Sequence, residues 1–299
     1  MTNWNTSGLP PSAAQRMQTI SSGRSKASML SVAGAISVQG VGFVPVSEVM
    51  GAIVLNITGA TFPNCGYYPG AFGMGYSGGG VSWPNQVATN DPSQYNFGPT
   101  YLQYGDVLTN GWTTALARME LEAKTIGAHG VIDIRFQQNN LGSGAHEFVA
   151  MGTAIRAMES KLQLANPFTT HLNGTDVSKL FHHGYAPVKA LIEISIGVRH
   201  DDYATLSQAS AFASNTEVSG YTELVTSTRA NARRRLGDAI RNSGADGAII
   251  DLMQLSIFEN EPYENHRDHV AEVKIVGTTL TPFSQNHKKG NPLTILSLK

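Results

Sequence analysis

Three sequence blocks occur twice in this chain, in the same order. Gly42-Phe43-Val44-Pro45-Val46 matches Gly184-Tyr185-Ala186-Pro187-Val188, and an apolar β-rich run follows each (52–57 and 191–196). Ile126-Gly127-Ala128-His129-Gly130-Val131-Ile132 matches Ser243-Gly244-Ala245-Asp246-Gly247-Ala248-Ile249. Glu147–Thr153 matches Glu272–Thr278. Three matches in one order identify a tandem duplication, with copies over about 28–157 and 170–282.

Each copy opens with a short helix candidate behind a good N-cap residue, Ser31 or Asn173. Each then carries a longer helix. Leu108, Trp112, Ala115, Leu116, Met119, Ala123 and Ile126 recur at steps of three and four, as do Val225, Ala232, Leu236, Ala239 and Ile240. Gly127 and Gly244 stand where a left-handed residue ends a helix. Strands follow at 131–136 and 248–253, with two further strand candidates closing each copy. The expected fold class is α+β: two modules, each a mainly antiparallel sheet with a helix packed on one face.

Around the modules, residues 1–27 read as an N-terminal tail with a short turn of helix near 13–18. Residues 158–169 read as a linker and 283–299 as a C-terminal tail. The first copy alone holds a Gly/Tyr-rich insertion over 58–105. Loops of that length in a compact domain are functional or disordered, and its aromatic content argues for contact with a partner surface. Tyr67, Tyr68, Phe72, Tyr76 and Trp83 are the expected interface residues.

Composition narrows the function. Charged residues are 14% and hydrophobic residues 41% of the chain, a mix that supports a core and is unlike a disordered tail. Lys plus Arg is 21 against 22 for Asp plus Glu, so the basic excess of a nucleic-acid binder is missing. Low charge also fits surface hidden in an assembly. The one cysteine, Cys65, rules out an intramolecular disulfide and a Cys-based zinc site within one chain, and it fits a reducing, cytoplasmic setting. No run of 18 apolar residues exists, so no membrane-spanning helix is expected.

The repeated blocks resemble the YbjQ-like family, whose domains carry a heavy-metal-binding label. The resemblance rests on the Gly-aromatic-X-Pro-Val block, on ARMELEAKTIGAHGVIDIRF at 117–136 and HEFVAMGTAI at 146–155, and on ARRRLGDAIRNSGADGAIIDL at 232–252 and HVAEVKIVGTTL at 269–280. It implies a small fold similar to dodecin subunits and a ring-like homopentamer. The tandem form and the 58–105 insertion depart from the single-domain pattern.

Four chemistries compete with a purely structural role. The densest ligand cluster is His266 and His269 with Glu264, a divalent transition-metal site in composition, although a solvated hairpin tip explains it as well. Gly73-Met74-Gly75-Tyr76-Ser77-Gly78 spells GxGxxG, but Trp83-Pro84 follows it and no helix can start there. Cys65 and the serines form no nucleophile constellation. Arg233-Arg234-Arg235 reads as a solvated helix face or an ion-pair patch. The resulting expectation is a homo-oligomeric scaffold, pentameric or of stacked pentamers, with no catalytic residues and no cofactor. The alternative is a metal- or small-ligand-binding module with sites between subunits or repeats. Partners are other copies, plus a protein contacting the 58–105 loop, and not nucleic acid.

Overall fold

A computed structural model describes residues 8–23, 27–57, 87–90, 99–159, 166–263 and 266–283. Its elements are α1 (Pro11–Ser21), α2 (Val32–Gly40), β1 (Phe43–Asn56), β2 (Ala88–Thr89), α3 (Pro99–Thr125), β3 (Gly130–Asn140) and β4 (Ala145–Ala157). They continue with β5 (Phe168–Thr169), α4 (Gly174–His182), β6 (Tyr185–His200), α5 (Tyr203–Gln208), α6 (Ser219–Asn242), β7 (Gly247–Tyr263) and β8 (His266–Pro282).

Two four-stranded sheets result, ordered β1-β4-β3-β5 and β2-β6-β8-β7. In each, the first and third long strands pair antiparallel, and the second long strand lies beyond the third; β1 is the edge of its sheet, whereas β6 is flanked by β2. Their registers correspond. Pro45 faces Ile155 and Pro187 faces Leu280, with a bulge just after each proline. Ile132 faces Thr153 with a bulge directly after, and Ile249 faces Thr278 with the bulge one residue later, after Ile250. Proline lacks an N–H, so it is tolerated only where the ladder is already broken or at an edge. That is the physical reason for the shared Gly-aromatic-X-Pro-Val block.

The helix ends follow the same logic. Ser31 accepts from the Gly34 N–H and Asn173 from the Asp176 N–H, each capping the helix it precedes. Gly127 and Gly244 take φ of 67° and 69°, the left-handed conformation that stops α3 and α6 without a Cβ clash.

Packing gives a layered molecule. Leu108, Trp112, Ala115, Leu116, Met119 and Ala123 of α3 are all buried. Alternate residues of β6 point opposite ways. Ala190, Ile192, Ile194, Ile196 and Val198 join one core with α3 and the first sheet, whereas Leu191 joins a smaller core with Ala232 and Leu236 of α6. Thus α3 lies between the two sheets and α6 covers the far side of the second. Burying each large side chain here contributes about 1.5–3 kcal/mol.

Several expectations are revised. Each half holds three long strands, so the pair expected to close it after the post-helix strand is a single strand, β4 or β8. The strands run to 13 and 17 residues and absorb the length that two shorter ones would have used. The short turn expected at 13–18 is an 11-residue helix with Met17 and Ile20 buried. The expected linker contains β5, and the last part of the 58–105 span is the first turns of α3. Tyr67, Tyr68, Phe72, Tyr76 and Trp83, together with Cys65 and the GxGxxG stretch, lie outside the described residues.

Candidate functional site

His269 anchors the densest set of ionisable groups. It sits on β8 beside the end of β6, where the chain turns into α5 through Asp202, the α5 N-cap. Its Nδ1 is 2.8 Å from Asp201 Oδ1, and its Nε2 is 3.4 Å from Glu259 Oε1 on β7. Tyr221 of α6 lies against the imidazole, ring centroids 4.3 Å apart, and its hydroxyl donates to Asp201 Oδ2 at 3.5 Å. Burial, then the Asp201 charge, push the Tyr221 phenol up to about 12. Next to it Arg199 pairs with Asp202 at 2.9 Å and with Glu223 at 3.4 Å, and His200 Nδ1 is 3.2 Å from Asp268. A hydrogen bond from the Thr205 N–H and the Arg199 charge outweigh burial and hold the Asp202 carboxyl below its usual range.

Both ring nitrogens of His269 therefore face carboxylates of its own chain. Glu264 and the side chain of His266 lie outside the described residues, so of the three expected ligands only His269 is placed. Among the described residues no three His, Cys, Asp or Glu side chains converge as a metal site. His129 and Asp246, equivalent in sequence, hold equivalent turns. His129 Nδ1 accepts from the Ala157 N–H, and Asp246 accepts from the Thr281 hydroxyl, both at 2.9 Å. His182 ends α4 and His183 is its C-cap, where a cation suits the helix dipole.

A second charged site was not legible in sequence. Glu122 of α3 is 0% exposed, and Arg16 of α1 grips both its carboxylate oxygens at 2.5 and 2.6 Å. The Met50 N–H on β1 adds a third bond at 2.8 Å. Burial raises the Glu122 carboxyl above its ordinary value, and the Met50 and Arg16 bonds oppose that rise. A cavity of about 270 Å³ opens beside this pair, lined by Leu9, Pro10, Met50, Gly51 and Arg118 among others. The site fastens α1 to the first sheet.

The third arrangement is the junction between the sheets. Asn90, buried beside β2, accepts at Oδ1 from the Ile196 N–H at 2.9 Å and from Asn231 of α6 at 3.0 Å. Asn231 donates also to Ser195 at 2.8 Å. Thr278 Oγ1 meets Thr170 Oγ1 at 2.9 Å and His171 Nδ1 at 2.7 Å, while His171 Nε2 is buried with no partner among the described residues. Gly174 packs directly on the Gly34 backbone, bringing α4 onto α2. The arginine run splits its roles: Arg234 lies 3.7 Å from Asp238, Arg235 lies 3.6 Å from Glu193, and Arg233 is exposed. No helix among the described residues is long and apolar enough to cross a membrane.

These features define a class: an α+β protein of two like-ordered antiparallel sheets whose polar clusters fasten elements together. Comparison with known proteins adds a family likeness. Residues 95–158 match the family profile described as "Putative heavy-metal-binding". Over 80 residues the chain is 36% identical to the "Encapsulin nanocompartment protein Rv1762c" of Mycobacterium tuberculosis, covering 25% of this chain and 30% of that one. It is 39% identical over 57 residues to a UPF0145 protein of Thermosipho africanus, covering 19% and 53% of the two chains. A UPF0145 protein of Acinetobacter baylyi is 32% identical over 65 residues, covering 22% and 60%. The chain thus spans 60% or less of the length of these relatives. No solved structure matches it significantly.

Proposed function

We propose that this chain is a non-enzymatic, homo-oligomeric scaffold built from two tandem copies of a YbjQ-like module, 28–157 and 170–282. The observation that carries this reading is the matched register of the two sheets, bulge for bulge, combined with a matched family segment that falls in the first copy. The copies do not do equal work. The first contributes the helix buried between both sheets, and the second contributes an outer layer.

The assembly role rests on three supports. Buried charges are each engaged in fastening one element to another. Large apolar side chains stand exposed on α2 and β7, among them Val32, Ile36, Ile250 and Leu252. One relative bears the name of an encapsulin nanocompartment protein, and participation in a protein-built compartment is the setting we propose here. The family resemblance implies fivefold order. With a chain mass of 31.9 kDa, five chains weigh about 160 kDa. Native mass spectrometry or light scattering checks the assembly: a discrete multi-chain particle is expected, and a monomer or a simple dimer would overturn the reading.

The metal-binding alternative keeps one observation in its favour, the placement of His269 among carboxylates. It predicts stoichiometric zinc, nickel or copper in purified protein, lost on His266→Ala with His269→Ala. Metal-free protein whose melting temperature ignores all three ions would remove it.

A further inference from the structure

The outer edge of β3 is covered by the segment that introduces the second module. Phe168 N donates to His129 O at 3.0 Å and Thr170 N to Val131 O at 2.9 Å. In return Ile134 N donates to Thr170 O at 3.2 Å and Asp133 N to Leu172 O at 2.9 Å. In the second sheet, β7 holds the position of β3, yet among the described residues no strand pairs with its outer edge. β7 is 17 residues long and exposes Ile250 (41%), Leu252 (40%) and Ile257 (48%), with the exposed Asp251 among them. Long, exposed, hydrophobic edges are templates for pairing with another chain.

The matching segment exists at the start of the first module. Residues 27–31 are held on their own sheet much as 169–173 are held on theirs. Leu30 N donates to Ser28 Oγ at 3.2 Å, as Leu172 N does to Thr170 Oγ1 at 3.0 Å. Met29 N donates to Thr153 Oγ1 at 3.0 Å, as His171 N does to Thr278 Oγ1 at 3.3 Å. Glu48 N reaches the Ala27 carbonyl at 2.6 Å, and Ala190 N reaches Thr169 Oγ1 at 2.9 Å. Ser31 and Asn173 then cap the helix that follows. The inward contacts are duplicated, but the outward ones are not. Thr169 and Thr170 are buried under β3, whereas Ala27 and Ser28 are exposed.

We infer that residues 27–31 of a second copy of this chain add to the outer edge of β7, repeating between chains the junction that β5 makes within one. Ser28 N then donates to Ala248 O, and Ser28 O and Leu30 O accept from Asp251 N and Ile250 N. The same movement carries Val32 and Ile36, now 79% and 63% exposed, onto α4 of the first copy. Their counterparts there, Gly174 and Ser178, are already buried. Because one end of a chain meets the opposite end of the next, the contact is heterologous, and it closes into a ring or runs on as a filament. The inference deepens the scaffold reading and rests on it.

Within one chain Val131 and Thr169 are Cα partners, so Ala248 and Ala27 are the corresponding pair between chains. The test uses the full chain carrying Cys65→Ser, Ala27→Cys and Ala248→Cys, treated with a short bismaleimide. The expected result is a ladder of linked chains on a denaturing gel, absent from either single-cysteine variant. Leu252→Lys, with unchanged circular dichroism, is expected to drop the native mass to one chain. A multi-chain native mass without cross-linking, or with Leu252→Lys still fully assembled, overturns this junction and leaves the scaffold reading standing. A monomeric parent protein overturns both.

Discussion

At the scale of single residues, the Arg16–Glu122 pair gives the sharpest expectation. Glu122 is fully buried while the Arg16 side chain is 35% exposed. Removing one partner of a buried pair costs about 3–5 kcal/mol, and screening at the exposed Arg16 brings this to about 1–3 kcal/mol for Arg16→Ala. Burial already raises the Glu122 carboxyl. Such a group favours folding in its protonated form, so its cost appears as pH rises through the folded value. Without Arg16 that value rises further. The stability gap between the parent and Arg16→Ala is therefore largest near neutral pH and narrows on acidification, as denaturant melts at several pH values will show. His171 runs the other way. Burial lowers its folded value, with the Asp251 charge opposing. The unfolded chain binds the proton first, so stability at this junction is lost as pH falls below about 6.5, the ordinary imidazole value. His171→Asn is expected to flatten that part of the pH profile while the Glu122 part remains.

Elements explain what could be read in advance. Helical spacing placed α3 and α6, and the repeated Gly-Ala-X-Gly blocks placed both helix ends, because those signals are local and steric. Ser31 and Asn173 were legible as caps for the same reason. The docking of α1 was not legible, since Met17, Ile20 and Arg16 are separated by polar residues and their partner, Glu122, is 106 positions away. Asn90 was hidden similarly: one asparagine between two segments that are not described plugs the β6 edge through partners 104 to 141 residues distant. His266, His269 and Glu264 are neighbours in sequence, whereas Asp201, His269's nearest carboxylate, comes from a different strand end. Glycines mark where elements touch. A Cβ on Gly51 would overlap the Ala115 carbonyl and the Met119 N–H of α3, and one on Gly174 would overlap the Gly34 backbone of α2. Both obstacles are backbone, which cannot turn aside. Gly51→Ala is expected to destabilise the packing of α3 on the first sheet by about 1–3 kcal/mol or more. Gly174→Ala is expected to weaken the α2–α4 contact, seen as faster hydrogen exchange at 168–174 with the β1–β4 ladder still protected.

For the whole molecule, the asymmetry between the two sheet-and-helix halves decides how it is held. Counted back from their shared helix ends, Arg229 and Arg233 of α6 occupy the places that Trp112 and Leu116 hold on α3. Trp112 is wedged edge-on against Phe136 and Phe148, with the Lys274 ammonium 5.9 Å from its ring. An arginine in its place is suited to a polar surface and not to a layer between two sheets. The junction inside a chain is thus sealed by a buried apolar helix, and the junction proposed between chains would lean on backbone pairing at β7 and on Val32 and Ile36. Contacts of the second kind are weaker and depend on mass action. Any partner that binds only the folded chain raises its apparent stability with concentration. The melting temperature of the parent protein is therefore expected to rise over a hundredfold increase in concentration, and that of Leu252→Lys to stay constant. Scanning calorimetry at matched scan rates measures both, and a parent melting temperature independent of concentration, in a protein whose native mass changes on dilution, would sink the idea that assembly contributes to the stability of the fold.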